Sequence, residues 1–198
     1  RLDEARAILR RVIPDVAVGQ RVDLLMWGYR LLAELEVVAG NLAAAHEVLQ
    51  EEQFRLLSEQ EIYPFWRAGP QVSLWLAQGN MAEANAWAAQ VAFHHIGWKY
   101  QHIVGLLALL RIYLAQQQYS QALELLEEFQ ELVDRPEGAE YTISFLSFSA
   151  TALYQAGMHE RARTAALRLL NLTRQEGYLR VYLDMGEPMK QLLQSLLD

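Results

Sequence analysis

The chain contains no cysteine. That absence removes disulfides, thiolate chemistry and cysteine-ligated zinc together, and it fits a reducing compartment. No uninterrupted apolar stretch approaches the roughly 20 residues needed to span a bilayer, and the richest run, Ile103 to Leu110, stops at Arg111. No basic region followed by an apolar core and cleavage site opens the chain. A soluble, cytoplasmic protein with no membrane partner is expected. Basic residues are outnumbered, 17 Lys and Arg against 24 Asp and Glu, and the formal charge of -7 argues against nucleic-acid binding by this segment. Neutralising phosphates takes clustered Lys and Arg.

Catalytic signatures are missing as well. The chain has no Gly-rich phosphate loop ending in Lys-Ser or Lys-Thr, no Gly-x-Ser-x-Gly elbow and no His-Glu-x-x-His pair. His94 and His95 are adjacent, so on a helix they diverge by about 100° and do not readily share one ion, while His102 lies on the next element. A structural or surface role is expected for them, with no metal site. Glu51-Glu52 and Glu124, Glu127, Glu128 and Glu131 read as solvated acidic faces. No enzyme activity and no cofactor are expected of this segment.

What is present is a repeat. Hydrophobic residues make up 53% of the chain and aromatics 10%, which excludes disorder. The stretch Leu76 to Ala84, Leu-Ala-Gln-Gly-Asn-Met-Ala-Glu-Ala, has the makings of a helix-to-helix corner. Gly79 suits a left-handed helix end, and Ala84 is small enough for the next helix to fold back closely. Its counterparts are Ala5, Ala45, Ala122 and Ala162, giving spacings of 40, 39, 38 and 40 residues along the chain. Five residues before three of these alanines stand Gly40, Gln117 and Gly157, so Gln117 is the one substitution. Apolar residues return at helical spacing after each alanine, as in Ala122, Leu125, Leu126 and Phe129. Each unit needs its neighbour to bury a face, so one continuous array is expected.

The spacing predicts helices over about Leu2 to Ile13, halted near Pro14 before a connection from Asp15 to Gln20, then Val22 to Ala39 and Leu42 to Ser58. A third forward helix is expected from about Glu61 to Gln78. It contains Pro64 and Pro70, and because Pro70 denies the Trp66 carbonyl its partner, a kink or break is expected near Gly69. Further helices follow over Met81 to His95, Lys99 to Gln116, Tyr119 to Val133, Ala139 to Ala156 and His159 to Gln175, with a turn at residues 134–138. The array so drawn covers residues 1–176. From Gly177 the rhythm changes to a short helix, a stop at Gly186 and a new helix with Pro188 near its start. Residues 177–198 are expected to cap the array and to lead toward a linker and DNA-binding domain outside this segment. The opening Arg1-Leu2-Asp3-Glu4-Ala5 starts in mid-corner, as a piece of a longer protein would.

The glycine-plus-five alanine resembles the corner of tetratricopeptide repeats, whose unit of about 34 residues is shorter than these. The resemblance implies an all-α fold, a right-handed α-α superhelix or TPR-like solenoid with repeats of about 40 residues. It places the tight helix-packing position on Ala33, Val72, Leu110 and Ala150, and the aromatic position on Glu36, Trp75, Tyr113 and Leu153. The groove-facing positions fall on Trp27, Arg30 and Glu34, on Trp66 and Ser73, on Arg111, and on Ser144, Ser147, Thr151, Tyr154 and Gln155. That mixture of aromatic, ionic and hydroxyl groups fits a concave face for a polar ligand, with Trp66 as a stacking platform for a sugar or similar ring. The alternative is that Trp27 and Trp66 pack between helices and the hydroxyls are solvated.

With the closing Gly177-Tyr178-Leu179-Arg180-Val181-Tyr182-Leu183-Asp184-Met185-Gly186-Glu187-Pro188-Met189, the whole chain resembles the MalT-like, large ATP-binding transcriptional regulators of the LuxR family. That resemblance implies a full-length protein with an N-terminal module that binds ATP, this repeat region as signal sensor, and a C-terminal helix-turn-helix domain that alone would contact DNA. Its implied partners are a small-molecule effector such as a sugar and other domains or copies of the same regulator. The second class of function is a tetratricopeptide-type scaffold holding a peptide of another protein. A peptide-tail clamp uses several Lys or Arg in the groove, whereas only Arg30 and Arg111 map there.

Overall fold

The computed structural model describes residues 2–19, 21–59, 65–91, 102–133, 139–174 and 177–197, side chains at 131–133 and 139–140 excepted. Among the described residues the fold is all helical, with α1 Leu2–Val18, α2 Val22–Val38, α3 Leu42–Gln50, α4 Glu52–Ser58, α5 Ala68–Ala77, α6 Met81–Gln90, α7 Ile103–Ala115, α8 Tyr119–Val133, α9 Ala139–Gln155, α10 His159–Thr173, α11 Arg180–Leu183 and α12 Gly186–Gln194. They fall into two compact units, Arg1–Ile112 and Tyr113–Asp198. No described helix is long and apolar enough to cross a membrane.

The corners explain the repeat. Gly40, Gly79 and Gly157 have φ of 78°, 71° and 77°, and Gln117 adopts the same left-handed conformation at 59°. At each corner the next residue's N–H reaches back five positions: Asn41 to the Glu36 carbonyl, Asn80 to Trp75, Gln118 to Tyr113 and Met158 to Leu153, all at 2.8 to 2.9 Å. These bonds, with those from each left-handed residue's own N–H three positions back, satisfy carbonyls that a helix end leaves open. The carbonyls of Asn41, Asn80, Gln118 and Met158 then accept the N–H of Ala45, Ala84, Ala122 and Ala162, which closes the first turn of the return helix. All four alanines are fully buried.

A Cβ added at Gly79 would meet no atom within 4 Å, so substitution there acts on the backbone alone. Gly79→Ala should cost about 1 kcal/mol and Gln117→Gly should stabilise by a similar or smaller amount, since a glycine relieves the left-handed strain but loses more freedom on folding. Urea unfolding of both variants checks this, and equal signs would be the wrong result.

Two expected boundaries are corrected. The first helix does not halt at Pro14 but runs through it to Val18. Pro14 is exposed and forfeits one backbone bond, while beyond it Val16 and Ala17 pack into the core of the first unit. The helix expected over Leu42 to Ser58 is broken at Glu51, whose ψ of 124° is extended. Leu49 and Phe54 are five positions apart, about 140° of rotation on an unbroken helix. The break resets the phase, so both side chains are fully buried and Phe54 stacks on Tyr29 at 5.3 Å. A third boundary moves slightly: the chain turns at residues 65–67 and α5 starts at Ala68, so Pro70 sits in a first turn where no N–H is required. Pro64, His94, His95 and the turn at residues 134–138 lie outside the described residues.

In the first unit one core joins α1 to α5 around Met26, Leu32, Leu49 and Trp66, and a second joins α5, α6 and α7 around Val72, Ala84, Ala108 and Ile112. In the second unit α9, α10 and α12 share a core in which Met189 and Leu192 of α12 pack against Leu146, Leu153 and Leu169. The closing segment thus lies on the last helix pair, with Gly186 left-handed at φ 63° and Pro188 in the first turn of α12.

Glu36 occupies the aromatic position of its corner, and a buried carboxylate there needs compensation. Arg6 Nε donates to its Oε1 at 2.8 Å, Asn41 Nδ2 to its Oε2 at 2.9 Å, and Arg10 stands at 3.3 Å. Burial pushes the Glu36 carboxyl up, but the hydrogen bonds of Arg6 and Asn41 and the charges of Arg6 and Arg10 together hold it below the usual carboxylate range. A carboxyl lowered in the folded state contributes stability above its unfolded value and loses it as pH falls through the folded one. Stability should therefore decline on acidification below the carboxylate range. Glu36→Gln, compared by urea unfolding at neutral pH and at about pH 3, should show a smaller acid loss than wild type; an equal loss would discount Glu36.

Candidate functional site

Helix α2 carries Trp27, Arg30 and Glu34 at i, i+3 and i+7, one stripe along its length. The start of α5 and the turn before it meet that stripe. Trp66 stands edge-on to Trp27, with ring centroids 5.3 Å apart and planes at 88°. The Arg30 guanidinium carbon lies 4.5 Å from the Trp27 ring centroid, and its Nη1 donates to Glu34 Oε1 at 3.2 Å. Arg30 and Glu34 are 13% and 25% exposed, so their polar ends reach the surface only in part. Arg30 Nε is buried and meets no acceptor among the described residues.

Gly69 is what lets α5 approach this group. A Cβ there would stand 3.3 Å from Glu34 Oε1 and 3.7 Å from Val104 Cγ1. A side chain at position 69 would press on the carboxylate. Trp66 itself is 9% exposed and belongs to the core of the first unit. Ser73, one turn on from Gly69, and Arg111 of α7 are half-buried in the same unit.

The five positions on α9 behave differently. Ser147 and Thr151 are 2% and 4% exposed, and their hydroxyls donate at 2.8 Å to carbonyls of their own helix, Ser147 to that of Ser144 and Thr151 to that of Ser147. Such back-bonding turns the hydroxyls into the helix and away from a ligand. Tyr154 packs edge-on to His159 at 5.2 Å, and Gln155 Oε1 accepts from the Tyr119 hydroxyl at 3.2 Å. Ser144 is half-buried. The structure therefore gathers Trp27, Arg30, Glu34 and Trp66 into one contact group in the first unit, and places the α9 residues in the second.

His102 is buried, its ring edge-on to Phe65 at 5.6 Å, which makes it part of the packing. Among the described residues no three His, Asp or Glu side chains are grouped to hold a metal ion. The residue reading missed a cavity of about 520 Å³ in the second unit, between α8, α9 and α10, lined in part by Gln130, Ser149, Thr164 and Arg168. Its polar residues come from separate stretches of chain with no shared motif.

No curated protein matches the chain. The family described as the MalT-like TPR region matches residues 1–198. Its span is the entire array, corners and closing segment alike, and the left-handed corners with buried alanines are the helical-repeat geometry that such a match requires. The chain belongs to the MalT-like TPR region family.

Proposed function

We propose that this chain is the sensor and oligomerisation region of a MalT-like LuxR-family transcriptional activator, non-catalytic in itself, which binds a small polar effector such as a sugar. In the full-length protein, ATP would be bound by an N-terminal module and DNA by a C-terminal helix-turn-helix domain. The observation that carries this reading is the Trp27, Arg30 and Glu34 stripe: a guanidinium held by stacking and by a carboxylate, with a buried Nε donor that has no acceptor among the described residues. Such a preorganised donor-acceptor pair beside an indole is the combination that orients a polyhydroxyl ring. The half-buried Trp27 supplies the apolar edge, and Glu34 accepts from vicinal hydroxyls.

The same geometry counts against the peptide-clamp reading. Arg30 is already engaged by Glu34 at 3.2 Å and by Trp27, so a peptide carboxylate would have to displace Glu34 to claim it. The reading is tested on the gene. A Walker-type loop encoded upstream and a helix-turn-helix downstream are expected, and their absence from the flanking sequence would favour the scaffold. The isolated segment should neither turn over ATP nor shift an operator; either activity would overturn the assignment of those roles to other domains.

A further inference from the structure

Return helix α3 is covered from two sides, by α2 before it and by α5 after it, whereas the described packing partner of α1 is α2, the forward helix after it. The difference shows at the residues that repeat. Ala45, Ala84, Ala122 and Ala162 are fully buried, but Ala5 is only half-buried. Three positions on, Val48 and Leu125 are buried and Ile8 is 47% exposed. Seven positions on, Phe129 and Leu169 are buried and Val12 is 40% exposed. Ala5, Ile8 and Val12 fall within about 60° of one another on α1. Their stripe adjoins the face with which Leu9, Ile13 and Val16 join the core of the first unit.

The other copies show what covers such a stripe. Ala45 shares a core with Ala33 of α2, Ala84 with Val72 of α5 and Ala162 with Ala150 of α9. Each covering residue stands twelve positions before its alanine, on the forward helix that the left-handed corner joins to it. All three are fully buried. A terminal helix that faces water in a repeat protein carries a polar outer face instead. Helix α12 is of that kind: Met189 and Leu192 turn inward, and Glu187, Lys190, Gln191 and Gln194 are exposed. On α1 the exposed stripe holds Ile8 and Val12.

We propose that the outer face of α1 is the docking surface for a further forward helix of the same polypeptide, N-terminal to α1 and antiparallel to it. The corner that joins the two has its left-handed residue five positions before Ala5, as at the other four alanines. That helix sets a small or aliphatic residue against Ala5 and lays apolar side chains over Ile8 and Val12. The contact follows from the repeat and is independent of any effector.

The test compares the 198-residue chain with the same chain extended by about 20 residues encoded ahead of Arg1, enough for one helix and its corner. Ile8→Glu and Val12→Glu are introduced together into both. In the 198-residue chain the two positions are exposed, and the melting temperature should stay within about 3 °C of its parent. In the extended chain the same two carboxylates would be buried without partners, and the melting temperature should fall by at least about 6 °C. Failure of the extended variant to fold, where the shorter one folds, is the same result in stronger form. Hydrogen exchange on the two parents is the second measurement: amides of α1 should exchange at least about tenfold more slowly in the extended chain. Equal melting shifts in the two chains, or α1 exchange that the extension leaves unchanged, would overturn the assignment. So would light scattering that finds the 198-residue chain dimeric and its double variant monomeric, since a second copy would then cover the face.

Discussion

Trp66→Ala is expected to lose about 3 to 5 kcal/mol of folding stability, the largest effect of any single change proposed for the first unit. The indole is 9% exposed and shares its core with Leu25, Met26, Leu32, Leu49 and Phe54. Truncation removes both the transfer free energy of the ring and its edge-to-face contact with Trp27, and it leaves a cavity between α2 and the start of α5. Chemical denaturation gives the value directly. A loss below about 1 kcal/mol would mean that the ring is a surface platform after all. The consequence for function is practical: a binding defect in Trp66→Ala would report unfolding as readily as a lost contact, so Arg30 and Glu34 are the residues on which sensing has to be tested.

Ala84→Leu should cost about 1 to 3 kcal/mol by overpacking. Ala84 is fully buried among Ala68, Val72, Ala108 and Ile112, and its N–H closes the first turn of α6 on the Asn80 carbonyl. There is no room for three more carbons without moving α5 or α7 away. Ala5, at the same place in the first copy, is only half-buried and provides the control. Ala5→Leu should change stability by less than about 0.5 kcal/mol. Thermal melts of the two variants that coincide would contradict the reading of the corner alanines as the contact points of the repeat.

Much of the architecture was legible because it is local. A left-handed residue followed five positions later by alanine specifies a corner through backbone hydrogen bonds that involve only neighbouring residues, and even Gln117 obeys it. Where tertiary packing competes with a local signal, the local signal loses. Pro14 does not end α1, because Val16 and Ala17 are held by the core beyond it. Glu51 breaks a helix that composition would continue, because Phe54 has to reach Tyr29.

The site was legible only as a stripe. The tetratricopeptide resemblance put Trp27, Arg30 and Glu34 among the groove-facing positions, yet no resemblance reveals that Gly69 of α5 stands against the Glu34 carboxylate. Ser147 and Thr151 looked like polar lining, but a hydroxyl can bond the preceding turn of its own helix, and both do. Glu127 lies on a solvated face as expected, and from there it also meets Arg161 thirty-four positions away. Pairings of that range follow from how α8 and α10 flank α9, which periodicity alone does not supply.

The sensor reading rests on the α2 stripe, and calorimetry reaches it most directly. A panel of sugars, sugar acids and related polar metabolites is titrated into wild type, Arg30→Gln and Glu34→Gln, with helicity measured for each protein. The account predicts a compound that binds wild type at one site and binds each variant at least about tenfold more weakly, at unchanged helicity. An effector that binds all three proteins equally well would contradict it.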